Sequence, residues 1–149
     1  MERLSAFRGS ELYLLHEVVM RLDRVAQDLL KPLGLTYAEF LVLLQIVEQP
    51  GTRHHDVAQR MNLSKTSVSL RVKTLLERNW IVQRQNPRNR REQLLEPTPA
   101  GREVLDQAVR TLADAAEPLF AQLGEARQGL KLALARLQHN LQTPPTRST

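Results

Sequence analysis

Residues 52–98 read TRHHDVAQRMNLSKTSVSLRVKTLLERNWIVQRQNPRNRREQLLEPT, and this stretch decides the fold of the chain. Its first half predicts two short helices separated by a tight turn at residues 61–64, MNLS. Its second half predicts two short strands, residues 80–85 and 93–96, around a basic loop at residues 86–91 in which Asn and Pro are the turn residues. The segment therefore predicts two helices at a turn, followed by a hairpin.

Positive charge is concentrated in the same stretch. Between Arg60 and Arg91 there are nine basic residues and a single acidic residue, Glu77. The net charge of this window is +8, whereas that of the whole chain is +5, so the residues outside the window sum to −3. Charge that coincides with a helix-turn-helix pattern indicates a nucleic-acid partner.

Length and composition limit the possible classes of protein. A chain of 149 residues with 42% hydrophobic and 25% charged residues is typical of one soluble globular domain. The absence of cysteine excludes disulfides, cysteine zinc sites and thiol redox sensing, and 4% aromatic residues disfavour stacking platforms for single strands. The apolar run at residues 40–47 is too short to span a bilayer, and Glu2 and Arg3 interrupt any signal-peptide core. We expect a cytoplasmic protein with no membrane partner.

Helices flank the central stretch on both sides. After a loose start at residues 1–9, Leu12, Leu15 and Val19 begin an apolar stripe at spacings of 3 and 4, which predicts either a core helix or a subunit contact. Thr36 and Glu39 form a capping box before a nearly all-apolar helix that should be buried.

Two further helices are predicted after the hairpin. The first carries Leu105 and Leu112 and should kink or end at Pro118, and the second carries leucines up to Leu141. The leucine and alanine seams exceed what one small core needs, which suggests a homodimer that would suit a two-fold symmetric DNA site.

The second helix of the turn motif begins with small hydroxyl side chains and a lysine, which can reach base edges and phosphates in a major groove. Arginines at the hairpin tip repel one another unless a polyanion neutralises them, and a narrow minor groove attracts inserted arginine. A solvated polar face and a solvated basic loop are the alternatives. The predicted DNA-binding residues are Ser64, Lys65, Thr66, Ser67, Ser69, Arg71, Lys73, Arg88, Arg90 and Arg91.

The order of these segments resembles the MarR family of winged-helix regulators over about residues 10–141. The matching segments are residues 34–36 (GLT), 56–61 (DVAQRM), 63–69 (LSKTSVS), 77–81 (ERNWI), 86–91 (NPRNRR) and the Thr and Gly of 98–101 (TPAG). The resemblance implies a mainly α fold with a small β-wing, in the order α-α-α-α-β-β-α-α. It also implies a single chain with a DNA-reading lobe at about 36–98, dimerisation helices at about 10–31 and 100–141, and a disordered tail at about 142–149.

For function, the resemblance implies an obligate dimer that represses transcription and is released from a pseudo-palindromic operator by a small molecule. Recognition helices would lie in adjacent major grooves and wings in flanking minor grooves, with Arg91 as the minor-groove arginine. Two positions depart from the family pattern: Asn89 replaces an aspartate that usually holds this arginine, and Arg71 follows an apolar residue instead of preceding one.

By family analogy, the small molecule would be an anionic aromatic compound bound between the dimer helices and the DNA-reading lobe. The residues that could line such a pocket are Tyr13, His16, Arg21 and Phe40. Ordinary packing or surface roles are the alternative for all of them.

Other functions fit the sequence less well. His54 and His55 are adjacent, so they would point about 100° apart on a helix and would not form a metal pair. No nucleophile-base spacing and no glycine-rich phosphate loop occurs, so we expect no enzyme activity, metal site or cofactor. A non-specific architectural DNA-binding protein and a winged-helix module for protein contacts remain the alternatives.

Overall fold

A computed structural model of the chain describes residues 1–142; the predicted tail lies outside the described residues, except for Gln142 at the end of the last helix. These residues form seven α-helices, one short 3-10 helix and three strands. The helices are α1 (Glu2–Arg8), α2 (Glu11–Leu30), α3 (Tyr37–Glu48), α4 (His54–Met61), α5 (Lys65–Glu77), α6 (Pro99–Ala121) and α7 (Ala126–Gln142), with the 3-10 helix at Lys31–Leu33. The strands are β1 (Thr52–Arg53), β2 (Ile81–Asn86) and β3 (Asn89–Pro97).

The boundaries of the first long helices follow the predicted caps. The Ser10 side chain accepts a hydrogen bond from the Tyr13 backbone N–H, and the turn after α2 ends at Gly34, whose φ of 74° is left-handed. At the start of α3 the predicted capping box is complete. The Glu39 N–H donates to Thr36 Oγ1 at 3.1 Å, and the Thr36 N–H donates to Glu39 Oε2 at 3.0 Å.

The three strands form an antiparallel sheet in the order β1-β3-β2. Strand β1 was not predicted, because two residues are too few to show alternation; it pairs Thr52 with Leu95 and Arg53 with Leu94. Strand β2 ends one residue later than predicted and β3 begins four residues earlier, so the turn between them contains only Pro87 and Arg88. This β1-β3-β2 sheet is the wing of the fold.

One core joins the helices and the sheet within residues 1–112. Its buried side chains come from the end of α2, from α3, α4, α5 and the base of the wing, and from the first half of α6. They include Leu30, Leu35, Phe40, Val42, Leu43, Ile46, Val57, Ala58, Val68, Val72, Leu75, Ile81, Leu95, Val104, Leu105 and Ala108. The near-continuous apolar sequence of α3 explains its central position, as predicted.

Three parts of the sequence interpretation need correction. Residues 2–8 form α1, where a loose start was expected; the Ser10 hydroxyl donates to the Phe7 carbonyl at 2.6 Å and ties α1 to α2. The apolar stripe of α2 is exposed and only Leu30 of this helix is buried, so α2 is not a core helix of this chain. Helix α6 does not end at Pro118, one of the two outcomes expected there, but continues to Ala121.

The described residues divide into two compact units, one of residues 1–112 and one that begins at residue 113. Within the second unit, the Arg127 guanidinium forms a bidentate ion pair with Glu117 at 2.8 Å, which lowers the pKa of the Glu117 carboxyl.

Across residues 1–142 no single helix is long and apolar enough to cross a membrane. The pair Glu11–Leu33 and Tyr37–Glu48 meets the criteria of length and composition only when the two helices are taken together, and they are separated by a 76° bend.

Candidate nucleic-acid interface

Helix α5 has a buried face and a polar face. The Ser64 side chain accepts from the Ser67 N–H at 3.1 Å and starts the helix, and Asn62 makes the preceding turn with a left-handed φ of 53°. Burial of Val68, Val72 and Leu75 turns the opposite face outward. Ser67 is half-buried beside the core, and the outward residues are Ser64, Lys65, Thr66, Ser69 and Lys73.

Arg71 differs from the other residues predicted to contact DNA. It is half-buried, and its Nε is buried without a hydrogen-bond partner in the described part of the chain. It lies three residues after the buried Val68, at the boundary between the two faces of α5. The structure therefore separates Arg71 from the exposed Lys65 and Lys73.

The wing presents its arginines from two positions. Arg88 lies in the turn, whereas Arg90 and Arg91 lie on β3 and not in the loop where the sequence placed them. The register shifts here by three residues, since Gln85 pairs with Gln93 but Asn86 pairs with Asn89. Residues 90–92 therefore bulge out of the ladder, and the Arg88, Arg90 and Arg91 side chains are exposed.

Asparagine side chains hold the backbone of this bulged segment. Asn86 Oδ1 accepts from the Arg88 N–H at 3.0 Å, and Asn89 Oδ1 accepts from the Arg91 N–H at 3.2 Å. Asn89 thus holds the backbone of Arg91 and not its guanidinium. Within the described residues, that guanidinium forms no hydrogen bond or ion pair.

Several other basic residues of the charged window have internal partners. Arg60 donates to Gln45, Gln49 and Thr52 at 2.7–3.0 Å. Arg78 stacks over the Trp80 ring at 5.0 Å, and Arg84 pairs with Glu96 at 3.0 Å. Within residues 60–91, all of which the structure describes, the exposed cations whose side chains have no intramolecular partner are Lys65, Lys73, Arg88, Arg90 and Arg91.

A groove of about 370 Å³ lies between the start of α5 and β3. It brings together three residues that were predicted separately, namely Lys65, Ser69 and Arg91. Its other lining residues are Arg53, His54, His55, Glu92 and Gln93. The polar face of α5 and the wing therefore form one continuous surface.

A polar network that the sequence did not predict lies at the edge of this groove. Arg53 forms a two-pronged ion pair with Asp56 at 2.8 and 2.9 Å and also donates to Glu92 at 2.9 Å. The bonds to Asp56 and then Glu92 raise the pKa of Arg53 above its ordinary value, and the Arg53 hydrogen bond lowers the pKa of Asp56. Glu92 lies 39 residues from Arg53, so no local pattern could have revealed the pair.

A second missed contact joins α4 to the wing. His54 Nε2 lies 3.0 Å from the Gln83 side-chain nitrogen, and burial lowers the pKa of His54. The imidazole is therefore neutral near pH 7 and accepts the amide proton. In the described residues no group of three or more His, Asp or Glu side chains could hold a metal ion.

The residues predicted to line a small-molecule pocket have different surroundings. Phe40 is buried in the core and stacks on Tyr37 with ring centroids 5.9 Å apart. Tyr13 is half-buried and meets the Phe7 ring edge-on at 5.6 Å. His16 and Arg21 are exposed on α2. None of these residues lines the groove between α5 and β3.

A helix-turn-helix followed by a wing, with unpaired cations on both, defines a winged-helix DNA-binding protein. Residues 35–93 match the model of the MarR family. The chain is also 25% identical over 126 residues, 84% of each chain, to "Uncharacterized HTH-type transcriptional regulator YybA" of Bacillus subtilis strain 168. The match over residues 35–93 and the similarity to this regulator show a DNA-binding segment of the MarR type; the MarR family is a class of transcriptional regulators that are not enzymes.

Solved structures confirm the fold. The transcriptional repressor CouR, bound to a 23-mer DNA duplex, superposes with a TM-score of 0.80 at 24% identity, over 89% of this chain and 93% of that one. CouR from Rhodococcus jostii RHA1 bound to p-coumaroyl-CoA gives a TM-score of 0.76 at 24% identity over 95% of both chains. The predicted mainly α architecture with a β-wing is thereby confirmed.

Proposed function

We propose that this regulator is a sequence-specific homodimeric repressor that a small molecule releases from double-stranded DNA. The observation that carries the proposal is the surface formed by α5 and β3. Five exposed cations that have no side-chain partner among the described residues lie on α5 and the wing, next to small hydroxyl side chains. Phosphates and base edges are the ligands that such a surface fits, because lysine and arginine neutralise phosphates and hydroxyls reach base edges.

The two parts of this surface have different roles in the proposal. Helix α5 enters a major groove, where Thr66, Ser67 and Ser69 read bases while Ser64, Lys65 and Lys73 contact phosphates. Arg91 enters the flanking minor groove, with Arg88 and Arg90 on the adjacent backbone. Arg71 lies beside the exposed residues and contributes one of its terminal nitrogens.

Exposed apolar side chains support a homodimer. In the first unit, Leu12, Leu15 and Val19 of α2 are 69%, 39% and 45% exposed. In the second unit, Leu137 of α7 is 45% exposed, and within residues 126–142 no side chain is buried. Apolar stripes of this length are normally covered by a partner, and a second copy would also match a pseudo-palindromic operator with half-sites about one helical turn apart.

The releasing ligand is proposed to be a small anionic aromatic compound. One neighbour in fold, CouR, has been solved with p-coumaroyl-CoA. Of the predicted lining residues, Tyr13, His16 and Arg21 are accessible on α2, and Arg21 supplies the positive charge. The proposal rests on these residues and not on Phe40, which is 7% exposed. The cytoplasmic location also remains part of the proposal, since a repressor must reach chromosomal DNA.

The decisive experiment is selection of bound duplexes from a random pool, followed by competition with random duplex. A sequence-specific regulator should prefer its selected site by roughly 10³-fold or more. Equal competition by random duplex would support the architectural alternative instead. Sedimentation of the free protein and of the complex tests the dimer, and a screen of aromatic acids for release of the selected duplex tests the ligand.

Substitutions within α5 distinguish residues that recognise bases from residues that contact phosphates. Ser69→Ala should change the base preference of the selected site, because it removes a hydroxyl from the outer face. Lys65→Ala should weaken binding to all sequences equally and reduce the salt slope by about one unit. If Ser69→Ala weakens every sequence to the same extent, Ser69 is a backbone contact.

A further inference from the structure

The wing is connected to α4 by a continuous series of charged and polar contacts. Asp56 on α4 binds Arg53 on β1, and Arg53 binds Glu92 on β3. Glu92 in turn accepts from Asn86 Nδ2 at 3.0 Å. We propose that Arg53 and Glu92 are positioning residues that aim the wing arginines at DNA; this inference rests on the proposed function. These two residues are called the wing clamp below.

The wing clamp holds the part of β3 that is not paired with β2. Residues 90–92 bulge out of the pairing with β2, so the ladder does not hold Arg90 and Arg91, the two arginines that precede Glu92. The Glu92 carboxylate uses one oxygen for Arg53 and the other for Asn86. It therefore fixes the far end of the bulge to both neighbouring strands.

The clamp also reaches the turn of the wing. Asn86 receives the Arg88 N–H on Oδ1 while its Nδ2 donates to Glu92. Gln85 Nε2 donates to the Arg90 carbonyl at 2.9 Å, which closes the other side of the bulge. Side-chain hydrogen bonds thus hold the backbones of Arg88 and Arg90, whereas their guanidinium groups remain exposed and can contact DNA.

The other end of the clamp is anchored near the recognition helix. Arg53 pairs with Leu94 in the sheet, and its two bonds to Asp56 attach it to the first turn of α4. Arg53 and Glu92 both line the groove that also contains Lys65 and Ser69 of α5. A fixed distance between the wing and α5 is what simultaneous contact with two grooves of one duplex requires.

The positioning role of Glu92 predicts a change in DNA affinity opposite to the one expected from its charge alone. Glu92 is an anion beside a DNA-binding surface, so its loss should strengthen DNA binding if only Coulomb attraction mattered. If Glu92 aims the wing, Glu92→Gln should weaken binding to the selected duplex by about two- to fivefold, the value of an exposed ion pair. Arg53→Lys keeps the positive charge but removes the planar guanidinium that bonds Asp56 and Glu92 together. This variant should weaken binding to the selected duplex to a similar extent.

Glu96→Gln is the matched control. Glu96 lies on the same strand, is ion-paired to Arg84, and is 29% exposed compared with 31% for Glu92. It lies within the regular ladder, opposite Val82, and not at the bulge. This control should leave DNA affinity unchanged or slightly stronger. A Glu92→Gln variant that behaves like Glu96→Gln would overturn the clamp.

Hydrogen exchange in the free protein provides a test that does not need DNA. Glu92→Gln and Arg53→Lys should raise the exchange of the Arg88 and Arg91 amides, while Glu96→Gln should not. Unchanged exchange at these amides would refute the clamp, even if DNA affinity fell. If the wild-type chain selects no duplex, the proposed function fails by itself, and the exchange result alone then decides whether the contacts hold the wing.

A double-variant cycle completes the test. If Arg53 and Glu92 act through one clamp, the double variant should bind the selected duplex about as weakly as each single variant. Full additivity of the two losses would show that the residues act separately and would overturn the proposal.

Discussion

The recognition helix and the wing are held in place by different forces. Helix α5 buries Val68, Val72 and Leu75, each with at most 1% of its side chain exposed. The hairpin buries only Ile81 and Leu95, both in the half remote from the turn. A fully buried leucine is worth about 1.5–3 kcal/mol, whereas an exposed ion pair is worth up to about 1 kcal/mol. The position of α5 is therefore set by the core, and that of the wing by weaker polar contacts.

The largest effect is expected in the buried face of α5. Leu75→Ala removes a fully buried side chain and should lower the free energy of unfolding by about 2–5 kcal/mol. Leu70→Ala on the same helix is the control; this side chain is 56% exposed, so its loss should cost less than about 0.5 kcal/mol. Denaturant unfolding of the two variants measures the difference. Equal losses would contradict the assignment of the two faces of α5.

The base of the wing should show the next largest effect. A Cβ on Gly101 would lie 1.9 Å from the Trp80 carbonyl oxygen, and this backbone leads directly into β2. Gly101→Ala should therefore destabilise the fold by about 1–3 kcal/mol, because backbone atoms must move. Gly129→Ala is the control, since its Cβ would meet nothing within 4 Å and alanine favours a helix by up to about 1 kcal/mol. If thermal unfolding shows both variants stabilised, the close approach at Trp80 is wrong.

The exposed part of the wing should affect DNA binding without affecting stability. Arg91→Ala should weaken binding to the selected duplex by about tenfold, or about 1.4 kcal/mol, and flatten the salt slope by about one unit. Arg84→Ala removes the same charge from the same hairpin, but Arg84 is engaged with Glu96 and should matter less. Binding isotherms at several salt concentrations measure both variants. Equal losses would show that only the total charge of the wing matters, and not the position of Arg91.

The same difference explains which features the sequence could predict. Helices α2 to α7 and the buried face of α5 were predicted because burial imposes a period of 3.6 residues, and the caps at Thr36 and Ser64 mark helix starts. Strand β1, the bulge at residues 90–92 and the Arg53–Glu92 contact were missed. Strand β1 has only two residues, the bulge is an irregularity of pairing inside the hairpin, and the Arg53–Glu92 contact joins side chains 39 residues apart. None of these features leaves a local pattern. The positions of Arg90 and Arg91 on β3 were wrong for the same reason, since the bulge decides where the strand begins.

The smallest expected effect is the pH dependence of stability that arises from the contact between His54 of α4 and Gln83 of the wing. Burial lowers the pKa of His54 below its ordinary value of 6.5, so the unfolded chain binds a proton more readily than the folded one. The neutral ring accepts from Gln83, and a protonated ring would offer a second donor and lose this bond. Stability should therefore be fully present above pH 6.5 and decline as the pH falls through the folded pKa.

His54→Gln tests this linkage, because glutamine can accept the same hydrogen bond but does not titrate. The variant should show a shallower loss of unfolding free energy than the wild type as the pH falls from about 7 to about 5. His55→Gln, at the exposed neighbour, controls for the loss of an imidazole from this end of α4. Identical slopes for His54→Gln and the wild type would mean that the bond to Gln83 does not depend on the protonation of His54. The wing would then be held at low pH as firmly as at neutral pH, and its weaker anchoring would come from the bulge alone.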